Sequence, residues 1–204
     1  MSIVKLKNPK TVDYLKLKNH ILDHTFEWTY IENTIHIKEG EDVIFPPSIE
    51  RTTSKIEQIK DRTLRDYDLR IINNSMYTHI FLRRPDKNIL YPKVESEYMG
   101  YLNDVYADIF NFNIDYMKNF NLMIRCSVNA VEPSQENNVI TMPHVDHPWK
   151  HANMLIYLTD AGGSTFVEGE EFAPEEDDVI IFQGQHWHEL PKQKRRVVLV
   201  MTYI

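Results

Sequence analysis

Apolar positions follow a helical period in the first half of this chain and the period of a β-strand in the second. Tyr14, Leu15, Ile21 and Leu22 share one face of a helix predicted over residues 9–23, with Asn8 as N-cap and Pro9 in the first helical position. Phe26 to Ile31 is aromatic and β-branched, as strands are. Residues 33–75 carry the weakest pattern. There Pro46-Pro47 breaks the chain, Ile49, Ile56 and Ile59 suggest a weak helix, and Asn73-Asn74-Ser75 reads as a turn. A strand over 77–82 precedes a helix over 94–110, whose stripe of Tyr98, Leu102, Val105 and Ile109 faces a core. From Leu122 onward the helical period is gone. Strands are predicted over 122–129, 153–159, 164–168, 179–182 and 196–204, with a polar loop at 132–138 and a turn at Gly162-Gly163.

Helices first and short strands later imply an α+β chain in which N-terminal helices pack on one sheet of a double-stranded β-helix, or jelly roll. The 204 residues contain no repeat, low-complexity tract or interdomain linker. One domain over 1–204 is therefore expected, with a helix-rich supporting part at 1–120 and the jelly-roll strands at 121–204.

Composition narrows the class. No apolar run approaches the ~20 residues of a membrane span, and the N-terminus lacks a secretory apolar region. A lone cysteine, Cys126, excludes an internal disulfide and fits a reducing cytoplasm. The net charge of −7 argues against binding a nucleic-acid backbone. The basic cluster of Lys192, Lys194, Arg195 and Arg196 is the local exception.

Five of the nine histidines fall between residues 144 and 188. On a strand, residues i and i+2 share a face about 7 Å apart, so His144 and Asp146 can grip one metal from the same side. A distant histidine completes a set of two histidines and one carboxylate, which leaves coordination positions open and is diagnostic of non-haem Fe(II) oxygenases. His186 and His188 share a face, and both are candidates. His147 and His151 read as loop histidines, while Trp149 and Trp187 are candidate pocket walls.

The ordered series His144-Val145-Asp146, Ile156-Tyr157-Leu158-Thr159-Asp160, Asp178 to Phe182, His188-Glu189-Leu190-Pro191 and Arg195-Arg196 resembles the Fe(II)/2-oxoglutarate-dependent dioxygenase superfamily. The likeness is strongest to its prolyl-hydroxylase-like members and small viral and bacterial enzymes, over residues 120–204. It implies that His144, Asp146 and His188 hold the metal and that Arg196 binds the distal carboxylate of 2-oxoglutarate, assisted by Tyr157. Arg195 is the rival for that carboxylate, because alternation sends the two arginines to opposite faces. The cofactors implied are Fe(II), 2-oxoglutarate as cosubstrate, and O2. The implied reaction is oxidative decarboxylation of 2-oxoglutarate to succinate coupled to C–H oxidation of a small molecule, amino acid or peptide side chain. Two alternatives stay open: a cupin-type metalloenzyme that needs no 2-oxoglutarate, and a non-catalytic jelly-roll binding protein.

Overall fold

A computed structural model describes residues 3–32, 70–72, 74–85, 90–136, 139–141 and 144–204. The break and weak helix expected at Pro46-Pro47 and Ile49 to Ile59, and Asn73 of the expected turn, lie outside the described residues.

Among the described residues, two helices flank the strands. Helix α1 spans Val12–Leu22, and its N-cap is Thr11, whose hydroxyl accepts from the Tyr14 amide. The cap is not Asn8, because Asn8 accepts from the Lys10 amide instead and Lys10 adopts φ 50°, which no helix allows. Helix α2 spans Met99–Phe112 and buries Leu102, Val105 and Ile109. Its start lies later than the apolar stripe suggests. The Ser96 hydroxyl accepts from the Tyr98 amide and its carbonyl from the Met99 amide, which holds residues 96–99 in a turn, a competition that serines commonly win near helix starts.

The strands are β1 (Val4–Leu6), β2 (Thr29–Ile31), β3 (Arg70–Ile72), β4 (Met76–Arg83), β5 (Lys93–Val94), β6 (Met123–Val131) and β7 (Val139–Thr141), followed by β8 (Ala152–Tyr157), β9 (Thr165–Val167), β10 (Glu170–Phe172), β11 (Val179–Phe182), β12 (His186–His188) and β13 (Arg196–Tyr203). The major sheet is antiparallel in the order β1-β11-β8-β13-β6-β4-β2, with β5 also paired to β4. A smaller sheet, β10-β9-β12, faces it, and β3 pairs with β7 in parallel. This is the jelly-roll core with helices on one sheet that the residue pattern implies.

The major sheet is covered on both faces. Met154 and Ile156, with Val197, Leu199 and Met201, pack against Tyr14, Leu17, Leu102 and Ile109 of the helices. The alternate residues Leu155, Tyr157, Ile180, Phe182, Val198 and Val200 form the inner wall of the roll, against Val167 of the small sheet. Burial on both faces explains why β8 and β13 read as continuous apolar runs. Polar residues that interrupt those runs therefore point into the roll. The turn at Gly162-Gly163 also has a physical cause: Gly163 has φ +84°, and a Cβ there would come within 2.7 Å of the Leu190 carbonyl oxygen. Among the described residues, no helix is long and apolar enough to cross a membrane.

Helix α1 is tied to the turn before β11 through Asp177. That carboxylate accepts from the Tyr14 hydroxyl and the buried Lys18 ammonium, both at 2.5 Å, and pairs with Lys10. Burial opposes its ionisation, but these three donors outweigh burial and hold its pKa below the ordinary carboxylate value. Asp177→Ala strands the Lys18 charge beside the half-exposed Glu176 and is expected to cost about 3 kcal/mol by urea denaturation. Adding Lys18→Met should recover most of that loss. A single-variant cost below ~1 kcal/mol would show that the pair contributes no more than a surface contact.

Candidate metal centre

Strand β12 positions the centre. It pairs with β9, so that His186 lies opposite Val167 and His188 opposite Thr165. His144 joins the other side of β12 through two backbone hydrogen bonds with His186, of 2.9 and 3.0 Å. As residues i and i+2, His186 and His188 turn to the same side. Trp187 turns to the other and stacks on Phe166, ring centroids 5.5 Å apart, so it packs away from the histidines. One potential ligand atom each from His144, His186 and His188 lie within 4.8 Å of one another.

Asp146 approaches from the loop after His144. The pair does not sit on one regular strand, as its spacing suggests, because His144 is an isolated bridge residue and the backbone bends beyond it. Asp146 Oδ2 is 3.6 Å from His186 Nε2, and its Oδ1 is 3.2 Å from Arg125 Nη1. Arg84 donates to the Asp146 carbonyl, which anchors the loop from a second direction. Burial opposes the Asp146 charge, but His186 and Arg125 outweigh it and hold the carboxyl well below its usual range. Burial and the neighbouring His144 push His186 down to about 3. Burial, then Arg196 and the other two histidines, push His188 well below its ordinary value. Near neutral pH His186 and His188 are thus uncharged beside an anionic carboxylate, the protonation states in which these groups bind a cation.

Arg196 and Tyr157 lie further along the inner wall. Arg196 opens β13, is 4% exposed, and donates from Nη1 to the Glu189 carbonyl. It makes no contact ion pair among the described residues: the Glu189 carboxylate acts on it only from a distance and accepts instead from the Ser164 amide, so a desolvated guanidinium faces the interior with no anion in contact. Arg195 points the opposite way, pairs with Glu132 and lies 5.3 Å from the Tyr77 ring centre. The Tyr157 hydroxyl is 2.7 Å from Thr165 Oγ1, which is 2.8 Å from His188 Nδ1. This chain of hydroxyls fixes the His188 ring and joins the histidine cluster to the side chain beside Arg196. Burial pushes the Tyr157 phenol up to about 12, so it remains a donor at any ordinary pH.

Other members of this neighbourhood are not evident from motif spacing. His147 and His151 are buried, not solvated loop residues, and Trp149 stacks on His147 with centroids 4.9 Å apart. Arg125, Thr165, Asn153 and Thr202 belong to no motif. Alternation along the apolar runs of β8 and β13 is the signal that could have found Asn153 and Thr202.

The lowered histidine pKa values set the acid response of the metal-free chain. His147, which burial and then His151 push down to about 4, joins His186 and His188 as groups that the unfolded chain protonates near 6.5 and the folded chain does not. Unfolding therefore takes up as many as three protons here. The stability from these groups is fully present above pH ~6.5 and is lost as pH falls toward 4 and below. Urea midpoints of the metal-free protein should fall steadily from pH 7 to 4. A flat profile would mean that these rings are already protonated, or exposed, in the folded state.

No protein-family model and no curated protein matches this sequence. Among solved structures, an oxidoreductase of the 2OG-Fe(II) oxygenase family from Burkholderia pseudomallei is 16% identical, with 85% of this chain and 95% of that chain covered at a TM-score of 0.51. The viral collagen prolyl hydroxylase of Paramecium bursaria Chlorella virus-1 is 14% identical over 86% of this chain and 93% of its own, at a TM-score of 0.41. A prolyl hydroxylase from Trichoplax adhaerens is 13% identical over 97% and 94%, at 0.42. At these identities the likeness concerns architecture. The chain shares its fold with the Burkholderia pseudomallei 2OG-Fe(II) oxygenase-family protein.

Proposed function

We propose that this chain is an Fe(II)- and 2-oxoglutarate-dependent dioxygenase, acting as a hydroxylase. The observation that carries the reading is Arg196, a guanidinium buried on the inner wall with no contact ion pair among the described residues, which acts electrostatically on His188 of the histidine cluster. A buried charge of this kind calls for an anionic ligand, and the planar arginine fork suits a carboxylate. The Tyr157 hydroxyl supplies a second donor. If His188 Nε2 carries the free lone pair, Nδ1 donates to Thr165, Thr165 donates to Tyr157, and the phenol proton is left for an acceptor in the cavity. A cupin-type metal site gives Arg196 no such task.

The metal donors are His144, Asp146 and a histidine of β12. When bound, Fe(II) with 2-oxoglutarate supplies oxidative decarboxylation to succinate, coupled to C–H oxidation. The chain's own residues hold the metal on one side, fix the distal carboxylate with Arg196 and Tyr157, and keep Asp146 ionised beside Arg125. The sequence resemblance names His188 as the third donor. Two distances favour His186 in that role: its ring lies 4.3 Å from that of His144, against 6.2 Å for His188, and its Nε2 faces Asp146 Oδ2. His186 Nδ1 faces the Gly184 carbonyl, so the neutral ring turns a lone pair toward a carboxylate oxygen at 3.6 Å. Two such acceptors repel unless a cation lies between them. His188 then lines the cosubstrate cavity.

Two measurements test these assignments. Arg196→Ala is expected to weaken 2-oxoglutarate binding to the Fe(II)-loaded protein by about 30- to several-thousand-fold, the loss of one partner of a buried pair of about 2–5 kcal/mol. Arg196→Lys should rescue only in part, and the exposed Arg195→Ala should change affinity little. A larger loss at Arg195 would contradict the cosubstrate assignment. In Fe(II) titrations, His186→Ala should weaken metal binding by at least ~100-fold and His188→Ala by no more than ~10-fold, the lower end for a group supporting the ligands. The reverse order would return the third donor to His188.

A further inference from the structure

Of the five buried polar side-chain atoms that lack a hydrogen-bond partner among the described residues, four belong to one cluster: His147 Nδ1, His151 Nε2, and both Nδ2 and Oδ1 of Asn153. Buried polar atoms are nearly always partnered, so four in one place mark a site with something missing. Asn153 is fully buried in an otherwise apolar strand. It shares the inward face of β8 with Leu155 and Tyr157, and its cross-strand neighbours are Phe182 and Thr202. Phe182 meets the edge of His186, ring centroids 4.9 Å apart. Thr202 bonds His147 Nε2 at 2.7 Å and pairs across the strand with Arg125, the partner of Asp146. The cluster therefore adjoins the metal donors, at the opposite end of β13 from Arg196.

We propose that Asn153, with His147 and His151, recognises an uncharged amide group of the substrate, a peptide amide or a carboxamide. The proposal rests on the dioxygenase reading and names the chemical class its substrate must carry. The donor and acceptor inventory selects this class. His151 Nδ1 lies 2.7 Å from the Trp149 carbonyl oxygen, which can only accept. The Nδ1 proton is therefore committed, and Nε2 is the ring atom left to face a ligand. Asn153 adds an acceptor in Oδ1 and a donor in Nδ2. An amide fits this set, because its N–H satisfies an acceptor and its carbonyl satisfies Nδ2. A carboxylate brings no proton for Asn153 Oδ1. An ammonium accepts nothing from Nδ2 and would sit beside Arg125. Irregular backbone at 145–151 covers the cluster, with Trp149, 43% exposed, as its outer surface.

The test uses the full chain with acetamide as probe and methyl acetate, acetate and methylammonium as controls. Nitrogen-15 spectra follow the Asn153 side-chain amide and the His151 ring. Acetamide should shift both signals saturably, and each control should bind at least tenfold more weakly. In Asn153→Leu the acetamide response should vanish while the melting temperature without ligand stays at or above that of the unsubstituted chain, because an unpartnered amide has been replaced by an apolar group of similar size. A drop in melting temperature would make Asn153 a structural residue and overturn the proposal. So would the absence of saturation, or equal binding of acetate or methylammonium. The unsubstituted chain is titrated in parallel with Fe(II) and 2-oxoglutarate. Acetamide saturation without 2-oxoglutarate binding sinks the dioxygenase reading, and with it the assignment of the amide to that reaction's substrate. The converse result sinks the amide site alone.

Discussion

A guanidinium taken out of water on the inner face of a β-sheet is among the most expensive groups a fold can carry, and Arg196 is such a group. Its neighbours neutralise it only in part: the Glu189 carbonyl accepts one hydrogen bond, and the Glu189 carboxylate acts on it from a distance without forming an ion pair among the described residues. The surrounding architecture holds it there all the same. Strand β13 is buried along its whole length between helices and roll, so the side chain at its first position has no route to solvent. The same strand aims Thr202 at the other end of the interior, next to the Arg125–Asp146 pair. The inner wall is thus polar at both ends and apolar between, with the histidine cluster alongside.

The centre itself depends on desolvation. Three of its imidazole neighbours are held uncharged because burial penalises their protonated forms, while Asp146 keeps its charge beside the Arg125 guanidinium. Acidic and basic groups are pushed in the same direction on the pH scale, toward the states that bind a cation. Thr165 extends this organisation outward by joining His188 to Tyr157, so that the ring nearest Arg196 cannot rotate freely.

Much of this was legible in the sequence, for identifiable reasons. Short apolar and β-branched runs located β6, β8, β11 and β13, and the apolar stripe of Leu102, Val105 and Ile109 located α2. Alternation alone placed Arg195 and Arg196 on opposite faces. What escaped depends on contacts distant in sequence. Strand β1 is three residues long and exists because β11 offers it a free edge. The start of α2 was set by a serine hydroxyl, and the cap of α1 moved because Lys10 takes a left-handed conformation. The choice between His186 and His188 could not be read from alternation, which gives both the same face. It turns on which of them meets Asp146, a residue from another part of the chain. His147 and His151 are loop residues, as expected, but their burial was not legible because the strands that cover them are remote in sequence.

The central claim is that the histidine cluster and Arg196 serve one ligand that bridges them. Anaerobic titration of the purified chain with Fe(II) and then 2-oxoglutarate, followed by visible absorption, tests it most directly. The account predicts a weak charge-transfer band from the keto acid chelating the iron, saturating with 2-oxoglutarate in the unsubstituted chain and displaced to far higher concentrations in Arg196→Ala. Iron binding with no such band, or a band whose 2-oxoglutarate dependence is unchanged in Arg196→Ala, would contradict it.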